Sequence, residues 1–373
     1  MLRILFIGEN WYGSNARSCA EALRRLGCNV LDVDAQTFFP QPRLFASRVV
    51  GRLVRPRLVR EFNDYILATA EQFKPDILLA FKGNFVLANT LKAIGARGAA
   101  LYNYYPDTSA FSHGKWIPQS LPEYDCVFYT KPFWYKDVSR QLKLKAGCFV
   151  PHGYDPELHK MVKLDPRDIQ VFGCDVSFIA THTAYKEEAV KGLLHLRPNL
   201  NLRTWGGGWK ERCRTKELRR CVQGLPLLGE SYTRAIQAAK INLAIMSGQV
   251  QGASQGDHTT SRTYIIPACG GFMLHERNPE VLGLYEEGKE IECFESAQEL
   301  AEKIDYYLAN PEERERTARA GHARCVPAYS YDSRMSELIR WHGERHGIPM
   351  PPLLSSVVCA GTSGSPERGQ NLK

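Results

Sequence analysis

The residues best suited to chemistry cluster between positions 257 and 294. Three hydroxyl side chains precede an apolar run at 264–266, an order typical of a helix start: Thr259, Thr260 and Ser261. The unpaired N–H groups and the dipole of a helix start attract an anion. Arg262 falls in the first turn of this predicted helix, so its guanidinium would lie at the same place. The pattern predicts a binding site for a phosphate-like group.

The same stretch predicts where the helix ends. Pro267 restricts it to a few turns, and Gly270 and Gly271 are typical of a helix stop. Residues 272–274 are apolar and predict a short buried strand. A helix followed directly by a strand must belong to a larger alternating arrangement.

The composition limits the class of protein. A chain of 373 residues with 44% hydrophobic residues can bury two cores and suggests two domains. No apolar run is long enough for a transmembrane helix, and the N-terminus suits a β-strand better than a signal peptide, so we expect a cytoplasmic protein. The net charge of +8 fits a phosphorylated ligand, a membrane surface or nucleic acid, but it is too diffuse to choose among them.

The 11 cysteines predict neither a metal site nor disulfides. They are spread through apolar segments without a C-x-x-C pair, so we interpret them as reduced thiols. Asp32 and Asp34 resemble a metal-binding D-x-D pair, but alternation at a strand end explains them because no further oxygen ligands lie nearby. We expect no metal and no cofactor.

The first 150 residues alternate between predicted strands and helices, as in a doubly wound parallel sheet. The predicted strands are at 2–7, 28–33, 77–81, 99–103, 125–130 and 146–150. A loop with Asn10 and Gly13 joins the first strand to a helix at 16–26. The glycine spacing there differs from G-x-G-x-x-G, which disfavours an NAD-dependent oxidoreductase.

Polar residues follow two of these strands, at the edge where ligands gather in parallel sheets. Lys82 and Asn84 follow the third strand, and Asp107 follows the fourth. Asp107 could act as a general base or bind a hydroxyl group, with a turn-forming role as the alternative.

A basic segment lies at 43–60, where six arginines are interleaved with apolar residues. It predicts an amphipathic helix that Pro56 would interrupt. This helix could make a peripheral contact with an anionic membrane, whereas a solvated surface is the simpler interpretation. Binding of nucleic acid through Arg52 and its neighbours is a further hypothesis, which the diffuse charge does not favour.

A second alternation follows a proline-bounded crossing at 151–156 that contains His152. Lys186 precedes a predicted helix at 187–196, and Gly206 opens a triple glycine that would let the backbone approach a ligand. The remaining elements are predicted as strands at 174–180, 200–205, 241–246 and 272–274, and helices at 232–239, 297–308, 311–325 and 333–346. We expect domains at 1–150 and 151–350, with a disordered tail at 351–373.

This arrangement resembles the GT-B glycosyltransferases, which have two Rossmann-like α/β domains facing a central cleft. The resemblance is closest to the CgeB-like branch, with its pattern R-x-F-E-x-x-A-C-G-G-x-x-L followed by G-K-E-I-x-x-F. Residues 262–274 read RTYIIPACGGFML, and residues 288–294 read GKEIECF. Residues 150–155, VPHGYD, resemble the V-P-x-G-x-D crossing between the domains of that branch.

The resemblance implies metal-independent transfer of a sugar, with retention of configuration, from a nucleotide-diphosphate sugar to an acceptor on the first domain. The acceptor could be a glycan, a protein or a small molecule. The diphosphate would lie at residues 259–262, with Arg262 and Lys186 stabilising the leaving group. Glu276 and Glu290 would bind sugar hydroxyl groups, and His152 would contact the transferred sugar. The other candidate substrate-binding residues are Asp257, Gly206, Gly270, Gly271, Asn10, Gly13, Lys82 and Asn84.

One departure from the pattern concerns ribose recognition. The related retaining enzymes carry two acidic residues spaced E-x7-E, which would fall at Asp257 and Ile265. Asp257 keeps the first carboxylate, and Ile265 has lost the second. A changed donor, or a nucleotide- or carbohydrate-binding protein without turnover, is therefore the alternative to a transferase.

Overall fold

The computed structural model describes residues 1–39, 45–224 and 226–348, and only the backbone of residues 45–53. The chain forms two compact units, each with its own parallel sheet. The first unit comprises Met1–Pro151, Gln249–Gln255 and residues 334–348, and the second comprises His152–Gly248 and Gly256–Ser333. The predicted tail at 351–373 and the start of the basic segment at 43 and 44 lie outside the described residues.

A six-stranded parallel sheet forms the centre of the first unit. Its strands are β1 (Arg3–Gly8), β2 (Asn29–Asp34), β3 (Ile77–Phe81), β4 (Ala100–Tyr105), β5 (Cys126–Tyr129) and β6 (Gly147–Phe149). Their order across the sheet is β2-β1-β3-β4-β5-β6. The helices are α1 (Asn15–Arg25), α2 (Phe45–Phe73), α3 (Ala88–Gly95), α4 (Trp116–Ser120) and α5 (Trp134–Ser139). The carboxyl ends of these strands share one edge, which brings the loops after β3 and β4 together.

The second unit is built around a five-stranded parallel sheet. Its strands are β7 (Cys174–Ile179), β8 (Leu202–Trp205), β9 (Ala239–Ala244), β10 (Met273–Glu276) and β11 (Glu292–Phe294), in the order β11-β10-β9-β7-β8. The helices are α6 (Pro166–Phe172), α7 (Ala184–Leu196), α8 (Trp209–Arg212), α9 (Lys216–Arg219), α10 (Glu230–Ala238), α11 (Ser261–Ala268), α12 (Pro279–Leu284), α13 (Ala297–Ala309), α14 (Pro311–Cys325) and α15 (Tyr331–His346). The residues of α15 from Arg334 onward belong to the first unit.

The predicted strands of both sheets are confirmed, and most of their apolar side chains are buried, although Leu31 of β2 is exposed. The predicted interruption at Pro56 is wrong, since α2 continues through it from Phe45 to Phe73. Pro56 lies on an exposed turn, whereas Phe62, Ile66 and Ala70 further along the helix are buried against the sheet. This packing outweighs the one backbone hydrogen bond that a proline removes.

The basic segment has a mixed outcome. The side chains of Arg48 and Arg52 lie outside the described residues, so contact with a membrane or an acidic partner stays a prediction. Arg55 lies over the Phe85 ring, and Arg57 donates to Glu61.

Within the described ranges, no helix combines the length and apolar character needed to cross a membrane. None of the ten cysteines in those ranges forms a disulfide.

Candidate functional site

Three charged residues and one glycine of the second unit lie at the carboxyl edge of its sheet. Lys186 is in the first turn of α7, which follows β7, and Gly206 directly follows β8. Arg262 is in the first turn of α11, and Glu276 is the last residue of β10. Because parallel strands end at the same edge, residues far apart in sequence share one site.

Lys186 is a buried cation held by its helix start. Thr183 caps α7, and its Oγ1 accepts a hydrogen bond from the Lys186 backbone N at 3.3 Å. The Lys186 side chain is only 4% exposed, and its Nζ donates to the Thr181 carbonyl at 3.3 Å. Burial, assisted by the nearby charge of Arg262, lowers the pKa of Lys186 to about 7, although Asp257 and Glu276 oppose this. A negative ligand would return Lys186 to its charged form.

Arg262 supplies a second cation at the start of α11. Its Nη2 donates to the Ile245 carbonyl at 2.8 Å, and its guanidinium carbon lies 5.9 Å from the centre of the Phe178 ring. Its Nε has no hydrogen-bond partner among the described residues. Burial lowers the pKa of Arg262, but the ordinary value of arginine is so high that the group stays positive at neutral pH.

Glu276 contributes a carboxylate to this site. Its Oε2 accepts from the Met246 backbone N at 2.7 Å, and its Oε1 accepts from the Tyr185 hydroxyl at 3.1 Å. Burial raises the pKa of Glu276, against the opposing effects of these bonds and of the charges on Arg262 and Lys186. The site therefore combines two cations with the carboxylate of Glu276, and the charge of Asp257 also acts on both cations.

A chain of hydrogen bonds behind the site fixes the start of α11. The Thr260 backbone N donates to Thr263 Oγ1 at 3.1 Å, and Thr263 Oγ1 lies 2.9 Å from His275 Nε2. His275 Nδ1 lies 2.7 Å from the Glu276 carbonyl, which can only accept, so the ring proton is assigned to Nδ1. Burial lowers the pKa of His275 to about 4, so it is neutral at physiological pH. The chain ties α11 to the end of β10.

Gly206 has a steric role at this edge. Its φ is +136°, and a Cβ built on it would lie 1.9 Å from the Ala180 carbonyl oxygen. The next residue, Gly207, accepts a hydrogen bond from the His182 backbone N at 2.9 Å. The glycine therefore allows the ends of β7 and β8 to approach each other just before α7 begins.

Several predicted donor-site residues lie elsewhere. Gly270 and Gly271 precede β10, and Glu290 precedes β11, so all three lie toward the amino ends of the strands, opposite Glu276. Glu290 Oε2 accepts from the Glu286 backbone N at 2.9 Å. A Cβ on Gly271 would lie 2.5 Å from Ile236, which explains this glycine by close packing. The structure does not bring these residues to the Arg262 site.

The hydroxyl residues before α11 also differ in role. Thr260 precedes the helix and Ser261 begins it, as predicted for a helix start. Thr259 is fully buried, and its Oγ1 donates to Glu280 Oε1 at 2.6 Å, so it anchors the preceding loop. Asp257 lies in the same loop. Its backbone N donates to the Ser247 carbonyl at 2.9 Å, and this hydrogen bond closes the loop.

His152 and Ile265 are both buried in the second unit. His152 Nδ1 lies 3.5 Å from the Tyr331 hydroxyl. Ile265 is 4% exposed and belongs to an apolar cluster with Ile266 and Met273. Position 265, where the resemblance predicts a carboxylate, is thus part of the apolar core.

In the first unit, Lys82 Nζ lies 2.7 Å from Asp107 Oδ2, and His113 Nε2 lies 3.0 Å from the same oxygen. Asn84 belongs to the loop of Lys82, and its Oδ1 is buried without a hydrogen-bond partner among the described residues. Sequence reasoning missed His113. Its only signal was a histidine six positions after a strand-end aspartate, which is common in loops.

Asn10 and Gly13 lie in the loop after β1. Asn10 donates from its backbone N to Asp34 Oδ1 at 3.1 Å and from Nδ2 to Asp32 Oδ2 at 3.3 Å. Arg24 also donates to Asp32, at 2.7 Å. These bonds agree with the interpretation of the D-x-D pair as part of the strand end. Gly13 adopts a φ of +85° in the turn before α1, which favours glycine.

Comparison with solved structures identifies the fold class. The two parallel-sheet units have the fold of GT-B glycosyltransferases, as predicted from the sequence. Residues 186–340 match a family model described as glycosyl transferase-like, a segment that includes Lys186, Arg262 and Glu276. The narrower resemblance to the CgeB-like branch stays a prediction. A comparison with curated protein sequences finds no match.

Three solved structures illustrate the similarity. Sucrose-phosphate synthase from Thermosynechococcus elongatus matches with a TM-score of 0.65 at 14% identity, over 94% of this chain and 100% of that one. A glycosyltransferase from Rickettsia africae matches with a TM-score of 0.64 at 12% identity, over 92% and 98%. HepE from Anabaena, in complex with UDP-glucose, matches with a TM-score of 0.62 at 14% identity, over 92% and 100%.

Proposed function

We propose that this protein is a metal-independent glycosyltransferase that uses a nucleotide-diphosphate sugar as donor. The observation that carries the proposal is the pair of cations formed by the buried Lys186 and the half-buried Arg262, in the first turns of two helices at one sheet edge. The structure of HepE contains UDP-glucose, so a uridine-diphosphate sugar is the first donor to test. A cytoplasmic location stays a prediction from the sequence.

The two cations explain how the reaction would be accelerated. When the bond between the anomeric carbon and the phosphate oxygen breaks, the leaving diphosphate gains negative charge. Arg262, protonated Lys186 and the N–H groups at the start of α11 would stabilise that charge. One such preorganised donor contributes roughly 3–4 kcal/mol to lowering a barrier. This arrangement supplies the positive charge that a metal ion supplies in other enzymes.

Retention of the anomeric configuration is part of the proposal, because the pattern at 262–274 resembles that of the CgeB-like branch, which is related to retaining enzymes. Glu276 would accept hydrogen bonds from hydroxyl groups of the donor, since it is a carboxylate next to the two cations. Nuclear magnetic resonance of the anomeric proton in the first product formed distinguishes retention from inversion.

The test is incubation with a panel of nucleotide sugars and measurement of free nucleoside diphosphate, with and without EDTA. We expect release with at least one donor, unaffected by EDTA, and a loss of roughly a hundredfold or more in Arg262→Met. Arg319→Met, at an exposed position on α14, is the matched control. Nucleotide binding without any release would instead support the alternative, a binding protein without turnover, which the apolar residue Ile265 motivates.

A further inference from the structure

A second charged feature of the second unit lies on residues 210–220. Eight of these 11 residues are charged, and all eight are exposed. Six are cations, which we call the basic face: Lys210, Arg212, Arg214, Lys216, Arg219 and Arg220. The other two are Glu211 and Glu217, so six positive and two negative charges leave a net charge of +4 on this short segment.

The charges of the basic face are not neutralised. Among the described residues, no carboxylate lies within salt-bridge distance of any of the six cations, whereas other exposed cations of the unit are paired, such as Lys191 with Glu188. Arg219 Nε donates to the Cys213 carbonyl at 2.9 Å, a bond that fixes the side chain and leaves its charge in place. The basic face therefore projects a positive field into the solvent.

The segment is anchored on its other side by three buried residues. Trp209, Cys213 and Leu218 are at most 2% exposed and belong to the apolar core of the second unit. Trp209 Nε1 also donates to the Ala180 carbonyl at 2.6 Å. Because these anchors point into the core, the cations between them extend to the opposite side of the segment. The basic face is thus held in place without being used for packing.

A buried carboxylate ties the basic face to the candidate site. Glu187 Oε1 accepts from the backbone N of Arg214 and of Thr215, both at 2.7 Å, and its Oε2 lies 2.7 Å from His182 Nε2. Burial alone would raise the pKa of Glu187, but these hydrogen bonds lower it to about 2, so the carboxylate stays charged. Glu187 directly follows Lys186 on α7. Since consecutive Cα atoms are about 3.8 Å apart, this contact places the basic face beside Lys186.

The start of the segment gives a second connection. Helix α8 begins directly after the glycine turn at 206–208, which follows β8. A Cβ built on Gly208 would lie 3.6 Å from Arg212 Cδ and 3.4 Å from His182 Cβ, so the stem of Arg212 lies over this turn. His182 belongs to the loop between β7 and α7. The basic face therefore adjoins the carboxyl edge that carries the candidate site.

The composition of the segment indicates the kind of anion that it attracts. Residues 209–223 expose no large apolar side chain, which a membrane-bound surface would insert among the lipids. Trp209 is fully buried, so its ring cannot stack against a nucleic-acid base. The remaining property is positive charge beside an anion-binding site, and such charge steers a small anion toward that site.

We propose that the basic face is a capture surface for the nucleotide donor, which it attracts from solution toward Lys186 and Arg262. This inference rests on the proposed function and adds how the anionic substrate reaches its site. The six cations act over a distance, since charges interact over about 10 Å at 0.1 M salt. They accelerate association without contacting the bound donor, so the dissociation rate does not depend on them.

The test is stopped-flow fluorescence with the full chain and a panel of nucleoside diphosphates, beginning with UDP. The capture variant combines four changes at exposed positions of the basic face: Arg212→Gln, Arg214→Gln, Lys216→Gln and Arg220→Gln. The matched control removes the same total charge from exposed positions elsewhere on the second unit, through Lys160→Gln, Lys289→Gln, Arg316→Gln and Arg319→Gln.

We expect the capture variant to associate with the nucleotide about tenfold more slowly than the wild type at about 10 mM salt, where charges act over about 30 Å. At about 1 M salt this range falls to about 3 Å, and the two association rates should converge. The dissociation rate should be unchanged in both variants, and the control should associate at nearly the wild-type rate. A purely structural role of the face would not produce a loss that is confined to association and removed by salt.

Equal association rates of the capture variant and the wild type at low salt would overturn the inference. A loss that appears in the dissociation rate, or an equal loss in the control, would overturn it as well, because the cations would then contact the bound nucleotide or act only through net charge. Each of these results leaves the proposed function standing, which fails if no nucleotide sugar is turned over. A wild type that binds no nucleoside diphosphate would contradict both.

Discussion

Replacing Lys186 with methionine should stabilise the fold at acidic pH while abolishing nucleotide binding. The folded protein buries this ammonium, and its pKa falls from 10.5 to about 7. At about 1.4 kcal/mol per pH unit, keeping Lys186 charged in the folded state costs about 5 kcal/mol below pH 7. Methionine fills similar space without a charge, so the variant avoids this cost but loses the hydrogen bond to Thr181, which contributes about 1 kcal/mol.

The pH dependence of this effect has a definite sign. Between pH 7 and 10.5 the unfolded lysine holds a proton that the folded lysine has released, so unfolding takes up a proton and wild-type stability rises with pH. At pH 9 the remaining cost is about 2 kcal/mol. The advantage of Lys186→Met over the wild type should therefore shrink by about 3 kcal/mol between pH 6 and pH 9.

Urea denaturation at both pH values measures this difference, and UDP titration measures the loss of binding. Lys191→Met is the matched control, because Lys191 is on the same helix and exposed, with Glu188 as its partner. Its stability relative to the wild type should not depend on pH. An equal stability difference for Lys186→Met at pH 6 and pH 9 would show that Lys186 is not a buried, destabilised cation. Undiminished UDP binding by the variant would show that it is not a phosphate ligand.

Three further changes probe the scaffold of the site. Gly206→Ala should reduce soluble expression sharply because its Cβ would overlap the Ala180 carbonyl, whereas Gly207→Ala, with nothing within 4 Å of its Cβ, should express like the wild type. Thr263→Val removes the hydroxyl between Thr260 and His275, and thermal unfolding should show a loss of about 1–3 kcal/mol; an unchanged midpoint would contradict the hydrogen-bond chain. Glu276→Gln removes a negative charge beside two cations, so calorimetry should show tighter UDP binding together with slower sugar transfer, and weaker UDP binding would count against this assignment.

The alternation of strands and helices was predictable from the sequence, because the spacing of apolar residues along the chain indicates both the type of element and which of its residues are buried. The buried strands of both sheets are short apolar runs, and the start of α11 carries the hydroxyl residues typical of a helix start. The continuation of α2 through Pro56 was not predictable, because it depends on packing of Phe62 and Ile66 against the sheet. The expectation that proline interrupts a helix considers only the local sequence, and it therefore takes no account of this tertiary contact.

The position of a candidate site residue was predictable only where that residue directly follows a strand or begins the next helix. Lys186, Arg262 and Glu276 follow strands or begin helices, and parallel topology brings them to one edge. Glu290 and Gly270 were close to Arg262 in sequence, but both precede strands and lie toward the opposite edge. Their proximity along the chain was therefore a misleading guide, whereas the direction of each strand separates the two groups.

The structure also distinguishes cations that can bind an anion from cations that are already neutralised. Lys186 donates to the Thr181 carbonyl and Arg262 to the Ile245 carbonyl, and these bonds orient the two groups without cancelling their charge, although the charges of Asp257 and Glu276 lie nearby. Arg277, one residue after Glu276, instead pairs with Glu287 and Glu299, and its pKa is raised by those bonds. Sequence alone cannot rank Arg262 and Arg277, since the partners of both side chains are set by the tertiary structure. Carbonyl partners leave a positive field for a diphosphate, and this is why the start of α11, and not the end of β10, is the place where the leaving group would be stabilised.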